Sequence, residues 1–351
     1  LSLISYKADS CIRNSYYHNQ CSECVGTCPE NVFSVFQNRI KFEAEKCTYC
    51  LACLGTCPTE AIKIETFDPN REALLFQFSS ENMLGCQNKT KCLSAFDSEH
   101  FSIMALQRES LEIDLSLCKD CHLSKMEKSI IERVETANTL LKNIKSEKEI
   151  SLNFKEVEFP KTEDKRRLFN KILGKVEDKI AIDEVELQKI ERQLLKNSRA
   201  KKMYPQKHEI LIDILKESSN FESLESFQSE TDILSSQKID GSKCTNCGDC
   251  SQFCPTEAIF SATDKLSIYI HSDKCISCGI CHHICKVGAV EIEKEISVID
   301  FFRPKNLVTF EMSVCSECKT PVIKRGDQKI CDRCIDFKTD YDHIFTLARD
   351  V

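Results

Sequence analysis

Two stretches of the chain place four cysteines in the order C-x2-C-x2-C-x3-C-P, and this spacing constrains the fold more than any other feature. The first is Cys47, Cys50, Cys53 and Cys57 with Pro58; the second is Cys244, Cys247, Cys250 and Cys254 with Pro255. Disulfide geometry is narrow, and consecutive C-x2-C steps bring thiols too close for most to pair neatly. The same spacing lets several sulfurs converge on one inorganic core. A three-thiol loop can wrap one face of a cuboidal core, with its backbone N–H groups turned towards the sulfurs. The fourth cysteine is expected at the head of a short helix, where the following proline suits the first helical position. Zinc sites use pairs of C-x2-C rather than such a run. With 24 Cys, no Trp and only 8% aromatics, the chain is expected to be organised partly by bound metal.

The cysteine run repeats. CTYCLACLGTCPTEAIKI at 47–64 is echoed by CTNCGDCSQFCPTEAI from 244, with weaker copies CSECVGTCPENVF at 21–33 and CISCGICHHICKVGAV at 275–290. Within each half, about 20 residues of alternating character, such as Leu266, Ile268 and Ile270, predict a short strand leading into the next loop. The segment 125–236 is rich in Lys and Glu. Ile130, Ile131, Val134, Ala137, Leu140, Leu141 and Ile144 fit a helical stripe, and further helices are expected over Leu168–Val176 and Ile182–Ile190. Charged helices packing on the flanking domains are the plain reading, a partner-docking or dimerising arm the sharper one. The Ser-, Glu- and Gln-rich run at 217–236 reads as a flexible linker.

These motifs resemble those of bacterial-type dicluster ferredoxins over about residues 8–66 and 240–294. The resemblance implies four [4Fe–4S] clusters, with the fourth cysteine of each run serving the neighbouring cluster. Cys244, Cys247, Cys250 and Cys285 would hold one, and Cys275, Cys278, Cys281 and Cys254 the next. In the first half Cys28 would join Cys47, Cys50 and Cys53. Its neighbour would use Cys21, Cys24 and Cys57 and needs one more ligand. Three residues before Cys21 stands His18, where the ferredoxin pattern has Cys. Imidazole can bind iron, but thiolate is preferred. The stretch from Cys11 also resembles a ferredoxin variant with C-x9-C-x2-C-x3-C-P spacing, so Cys11 is expected to serve and His18 to lie exposed. Lys286 replaces the proline after Cys285 and would place a cation beside a cluster.

Eight cysteines remain. Cys315, Cys318, Cys331 and Cys334 have C-x2-C-x12-C-x2-C spacing, as in a zinc ribbon, though a single iron would suit the same geometry. Cys86, Cys92, Cys118 and Cys121 form a less regular set. It is read first as structural zinc, second as a further iron–sulfur cluster and third as unliganded thiols. The expected architecture is α+β. It comprises a ferredoxin-like dicluster module at 1–70, an inserted four-cysteine metal segment at 71–124 and a charged helical region and linker at 125–236. A second such module at 237–298 and a zinc-ribbon-like segment at 299–351 complete it.

Full thiolate ligation leaves no iron open to substrate, which points to an electron carrier between redox enzymes rather than an enzyme. Extended ferredoxins of this kind resemble partners of molybdenum or tungsten oxidoreductases such as formate dehydrogenase. An electron-transfer subunit of a larger dehydrogenase or hydrogenase is the second reading. A reductase with a catalytic cluster at Cys86–Cys121 is the third. The formal charge of −7 argues against nucleic acid as a partner. Neither a secretory leader nor a membrane span is evident, so a reducing, cytoplasmic location is expected.

Overall fold

A computed structural model describes residues 3–86, 91–155, 203–324 and 328–341. The architecture is α+β: two ferredoxin-like domains, helices between them and a four-cysteine group at 315–334. In the first domain Ile4–Tyr6 pairs antiparallel with Ile62–Ile64, and Phe33–Phe36 forms a hairpin with Arg39–Phe42. Gln37 and Asn38 turn that hairpin with φ of 47° and 59°, the left-handed conformation a two-residue type I′ turn needs at both positions. Ile4, Val32, Phe33, Ile40, Ile62 and Ile64 fill its small core.

The second domain repeats the plan. Gln237–Ile239 pairs with Val290–Ile292, and Ile259–Ser261 pairs with Ser267–Ile270. The strand expected before the fourth cysteine loop is therefore present, with Ile268 and Ile270 buried. Lys305–Thr309 adds a third strand to that sheet, which thus reaches past the boundary expected at residue 298.

Between the domains lies a unit that periodicity alone did not announce. Met83–Gly85, Leu111–Asp114 and Ile150–Asn153 form a three-stranded parallel sheet in that order. Parallel neighbours need crossover connections, and the helices Ser98–Leu106 and Glu127–Asn143 supply them. The stripe expected over 130–144 is the buried face of the second helix, with Ile131 half-buried at its edge. A division at 124/125 would cut through this sheet. The helices expected over 168–190 lie outside the described residues. Gly55 docks the first domain here: a Cβ on it would stand 2.4 Å from the Ser94 carbonyl oxygen and 2.6 Å from that of Phe96.

The flexible linker expected at 217–236 is instead folded. Ser226–Gln228 pairs with Glu295–Ser297, and Phe221, Phe227, Ile233 and Leu234 are buried. The Phe221 and Phe227 rings lie 5.4 Å apart, and Phe227 meets Phe301 at 5.3 Å. Burying each such side chain contributes about 1.5–3 kcal/mol, enough for four of them to order a stretch whose remaining residues are polar. Just before it, the helix Gln206–Glu217 starts after Pro205 and packs on Ser98–Leu106 through Ile210, Leu211 and Leu215.

Candidate iron–sulfur and metal centres

Three of the cysteine loops share one backbone. Residues two and four positions after the first cysteine are left-handed: Tyr49 and Leu51 (φ 58° and 69°), Asn246 and Gly248 (53° and 80°), Ser277 and Gly279 (50° and 71°). Alternating handedness turns successive N–H groups to one side and makes a concavity suited to an anion. A second device follows each fourth cysteine. Asn31, Glu60, Glu257 and Gly288 are left-handed, and each returns its N–H to the carbonyl of the cysteine three residues back. The next N–H then reaches sulfur: Val32 to Cys28 at 3.4 Å, Ala61 to Cys57 at 3.3 Å, Ala289 to Cys285 at 3.2 Å.

This corrects one expectation. The fourth cysteine does not head a helix: Cys28 and Cys285 cap the C-terminal ends of Glu23–Thr27 and Ile280–Ile284, and Pro58 and Pro255 open turns. A helix beginning there would send the later N–H groups to carbonyls instead of to sulfur. Proline suits the second position of such a turn as well as a helix start, and Lys286 occupies that position without disturbing it.

The sulfurs fall into groups. Burial pushes Cys24 up to about 12, and the charges of Cys57, Cys11 and Cys21 add to it. Cys21 is raised by burial and by the same Cys57 and Cys11. Cys53 is raised by burial, then by Cys50, Cys47 and Cys28. In the second domain burial carries Cys250 to about 12, helped by Cys244, Cys247 and Cys285. Burial likewise raises Cys281, with Cys275, Cys278 and Cys254 contributing. Four half-buried thiolates repel one another, and a positively charged iron core relieves that repulsion. The donor set therefore fits [4Fe–4S] clusters. Cys11 is buried, and it raises the neighbouring Tyr6 hydroxyl after burial does. His18 is exposed, its ring resting on Tyr16 and Tyr17.

The two domains meet at an apolar seam. Ile12 and Tyr16 from the first and Ile280 from the second are buried together, with Cys21 and Cys278 packed against this cluster. The Phe253 ring stands 5.5 Å from Tyr16. Arg13 fixes the first side by donating to the Cys21 carbonyl at 2.7 Å and to Asn38 at 2.8 Å.

Nothing in the sequence warned of a further ionic cluster, because Lys207 and His208 stand in a Lys- and Glu-rich stretch that looks solvated. Lys207 is buried, pairs with Asp97, lies 3.5 Å from Glu99 and donates to the Cys57 carbonyl at 3.3 Å. The adjacent His208 faces Glu99 at 2.6 Å and the Asp273 carbonyl at 3.2 Å. Tyr204 donates to that same carbonyl at 3.0 Å. One helix start thus holds the first domain, the middle unit and the second domain in register.

At the other end, Met312–Val314 and Pro321–Ile323 form a hairpin whose cysteines meet Cys331, just before the helix Asp332–Tyr341, and Cys334 in its first turn. The four sulfurs of Cys315, Cys318, Cys331 and Cys334 lie within 4.8 Å of one another, with Cys315–Cys334 at 4.0 Å and Cys318–Cys331 at 3.7 Å. A tetrahedron with zinc–sulfur bonds of about 2.3 Å has edges of about 3.8 Å, so the group is sized for one ion. The Cys331 N–H, then those of Cys318 and Glu317, lower Cys315 to about 6. Cys331→Ser is expected to lose about one metal ion per chain and keep its iron; elemental analysis of the two proteins checks it.

Cys86 follows the strand Met83–Gly85, Cys118 and Cys121 follow Leu111–Asp114, and Cys92 precedes a short turn. Burial brings Cys118 to about 12, with Cys86, Glu127, Cys92 and Cys121 adding to it. All four line one cavity of about 360 Å³.

Comparison with known proteins finds family matches over two of these regions. Residues 236–286 match the family described as a 4Fe-4S dicluster domain, and residues 40–63 match that of a 4Fe-4S binding domain. No curated protein matches the chain. With loops, thiol groups and family matches coinciding, the chain is a ferredoxin-type 4Fe–4S-binding protein with two separate ferredoxin-type domains and a cysteine-rich metal site at 315–334.

Proposed function

We propose that this multidomain iron–sulfur protein carries electrons between redox enzymes, and that its two halves form one relay. A [4Fe–4S] cluster, when bound, takes up and releases single electrons. The chain's own part in this reading is to supply four thiolate quartets. These are Cys28 with Cys47, Cys50 and Cys53; Cys11 with Cys21, Cys24 and Cys57; Cys254 with Cys275, Cys278 and Cys281; and Cys285 with Cys244, Cys247 and Cys250. The seam supports this reading, because Cys21 and Cys278 pack against one apolar cluster. Thiolate ligation throughout leaves no place for substrate, which favours a carrier over a catalyst. A molybdenum or tungsten oxidoreductase of the formate dehydrogenase kind suits as partner, and zinc suits the 315–334 site. Among the described residues no helix is long and apolar enough to cross a membrane; we place the protein in a reducing, cytoplasmic setting.

The test is an anaerobic dithionite titration followed by electron paramagnetic resonance. The reduced protein is expected to show magnetic coupling across the seam, and Ile280→Asp is expected to remove part of it while the iron content stays. Coincident spectra from the two proteins, at equal iron, would sink the single-relay reading.

A further inference from the structure

We infer that Cys86, Cys92, Cys118 and Cys121 hold a fifth iron–sulfur cluster of the four-thiolate [4Fe–4S] class, beside the first domain, and not a zinc ion. Spacing is the first ground. Among the described residues, Cys315, Cys318, Cys331 and Cys334 are the group whose ligand atoms all approach within 4.8 Å, as one ion requires. The four thiols at 86–121 instead surround a cavity of about 360 Å³. The ferredoxin-type cavity bounded by Cys244, Cys247, Cys250 and Cys285 has about 260 Å³. The sulfurs at 86–121 are thus spread wider than one ion allows.

Surroundings are the second ground. Leu93, Leu117, Leu123, Met126 and Ile130 form an apolar side of the cavity, and Thr48, Lys91 and His122 stand at the rest of its wall. Apolar cover of this kind tunes a redox cluster by excluding water. The Leu123 N–H reaches the Cys121 sulfur at 3.4 Å, and the Ser94 hydroxyl donates to Cys92 at 3.1 Å. The thiols also stand beyond the carboxyl ends of two adjacent parallel strands, where open α/β sheets receive their ligands.

The third ground is the wall shared with the first domain. Thr48, Cys50 and Leu51 line this cavity and also the one bounded by Cys28, Cys47 and Cys53. Leu51 stands at the loop position where the second domain has Gly248 and Gly279, and it keeps their left-handed backbone at φ 69°. A branched side chain is strained there. Its side chain is buried in the partition between the two cavities, which accounts for a leucine at a glycine position. The fifth cluster would extend the proposed relay by one single-electron carrier, with no bond made or broken. That extension rests on the relay reading; the identity of the bound group does not.

Iron, acid-labile sulfide and zinc counted on the anaerobically purified full chain provide the test. About twenty irons and one zinc are expected. About sixteen irons with two zincs overturn the fifth cluster and leave the four-cluster relay standing. Fewer than about sixteen irons, with two zincs, overturn both. Cys118→Ser is expected to lose about four irons and no zinc; unchanged iron, or the loss of a zinc, sinks the assignment. If that variant does not fold, the wild-type count decides alone.

Discussion

Cys11→Ser should cost the protein about four of its irons, whereas His18→Ala should leave the iron content as it was. The two residues compete as the fourth ligand beside Cys21, Cys24 and Cys57, and their surroundings differ in kind. Cys11 is buried and acts on Cys21, Cys24 and the Tyr6 hydroxyl. His18 points into solvent between two tyrosine rings. Removing the thiol also leaves the Tyr6 hydroxyl, raised by its own burial and by Cys11, facing an emptier pocket. Iron analysis of the two variants checks this. A Cys11→Ser protein with full iron, or a His18→Ala protein that loses iron, would reverse the assignment.

Lys207→Met should be the most destabilising single change outside the cysteines, by about 3–5 kcal/mol, the usual cost of stranding one partner of a buried ion pair. Burial alone would raise Asp97, but Lys207 and His100 hold its carboxyl far below the usual carboxylate range. Burial alone would lower Lys207, yet Asp97, Glu99 and Glu60 keep it above its ordinary value. The depressed carboxyl stabilises the fold above its unfolded pKa near ~3.9 and loses that contribution as pH falls below it. The raised ammonium contributes fully below about 10.4 and loses its contribution as pH climbs past that value. The pair therefore stabilises throughout the neutral range and fails first in acid. Thermal midpoints of wild type and Lys207→Met, measured between about pH 3 and pH 7, should converge towards the acid end. Adding Asp97→Asn to Lys207→Met should recover part of the loss, because the stranded charge is gone.

The cysteine groups were legible because ligand spacing is a local code. Three sulfurs on one loop must face one core, whatever surrounds them. The stripe in Glu127–Asn143 was legible for a related reason, since seventeen residues give the helical period time to show. The parallel sheet was not, because Met83–Gly85 and Leu111–Asp114 are three and four residues long, too short to display a period. The stretch around Phe221 and Phe227 misled through composition: serines and glutamates outnumber the few apolar side chains that order it. Lys207 was hidden in the same way, because a buried lysine among exposed ones carries no mark in the sequence. Three of the four left-handed positions after the fourth cysteines were masked too, since Asn31, Glu60 and Glu257 occupy them where glycine, as at Gly288, would have signalled a turn.

The seam of Ile12, Tyr16 and Ile280 joins opposite ends of the described chain. Contacts so distant in sequence close late in folding, after the loop entropy between them has been overcome. On the ribosome the first domain is complete long before residue 280 is made. Throughout that interval Cys21 lacks the cover that Ile280 later provides. Exposed thiolates are the ones oxygen attacks first. Slow synthesis in the presence of oxygen is therefore expected to lower the share of protein that reaches its docked form undamaged.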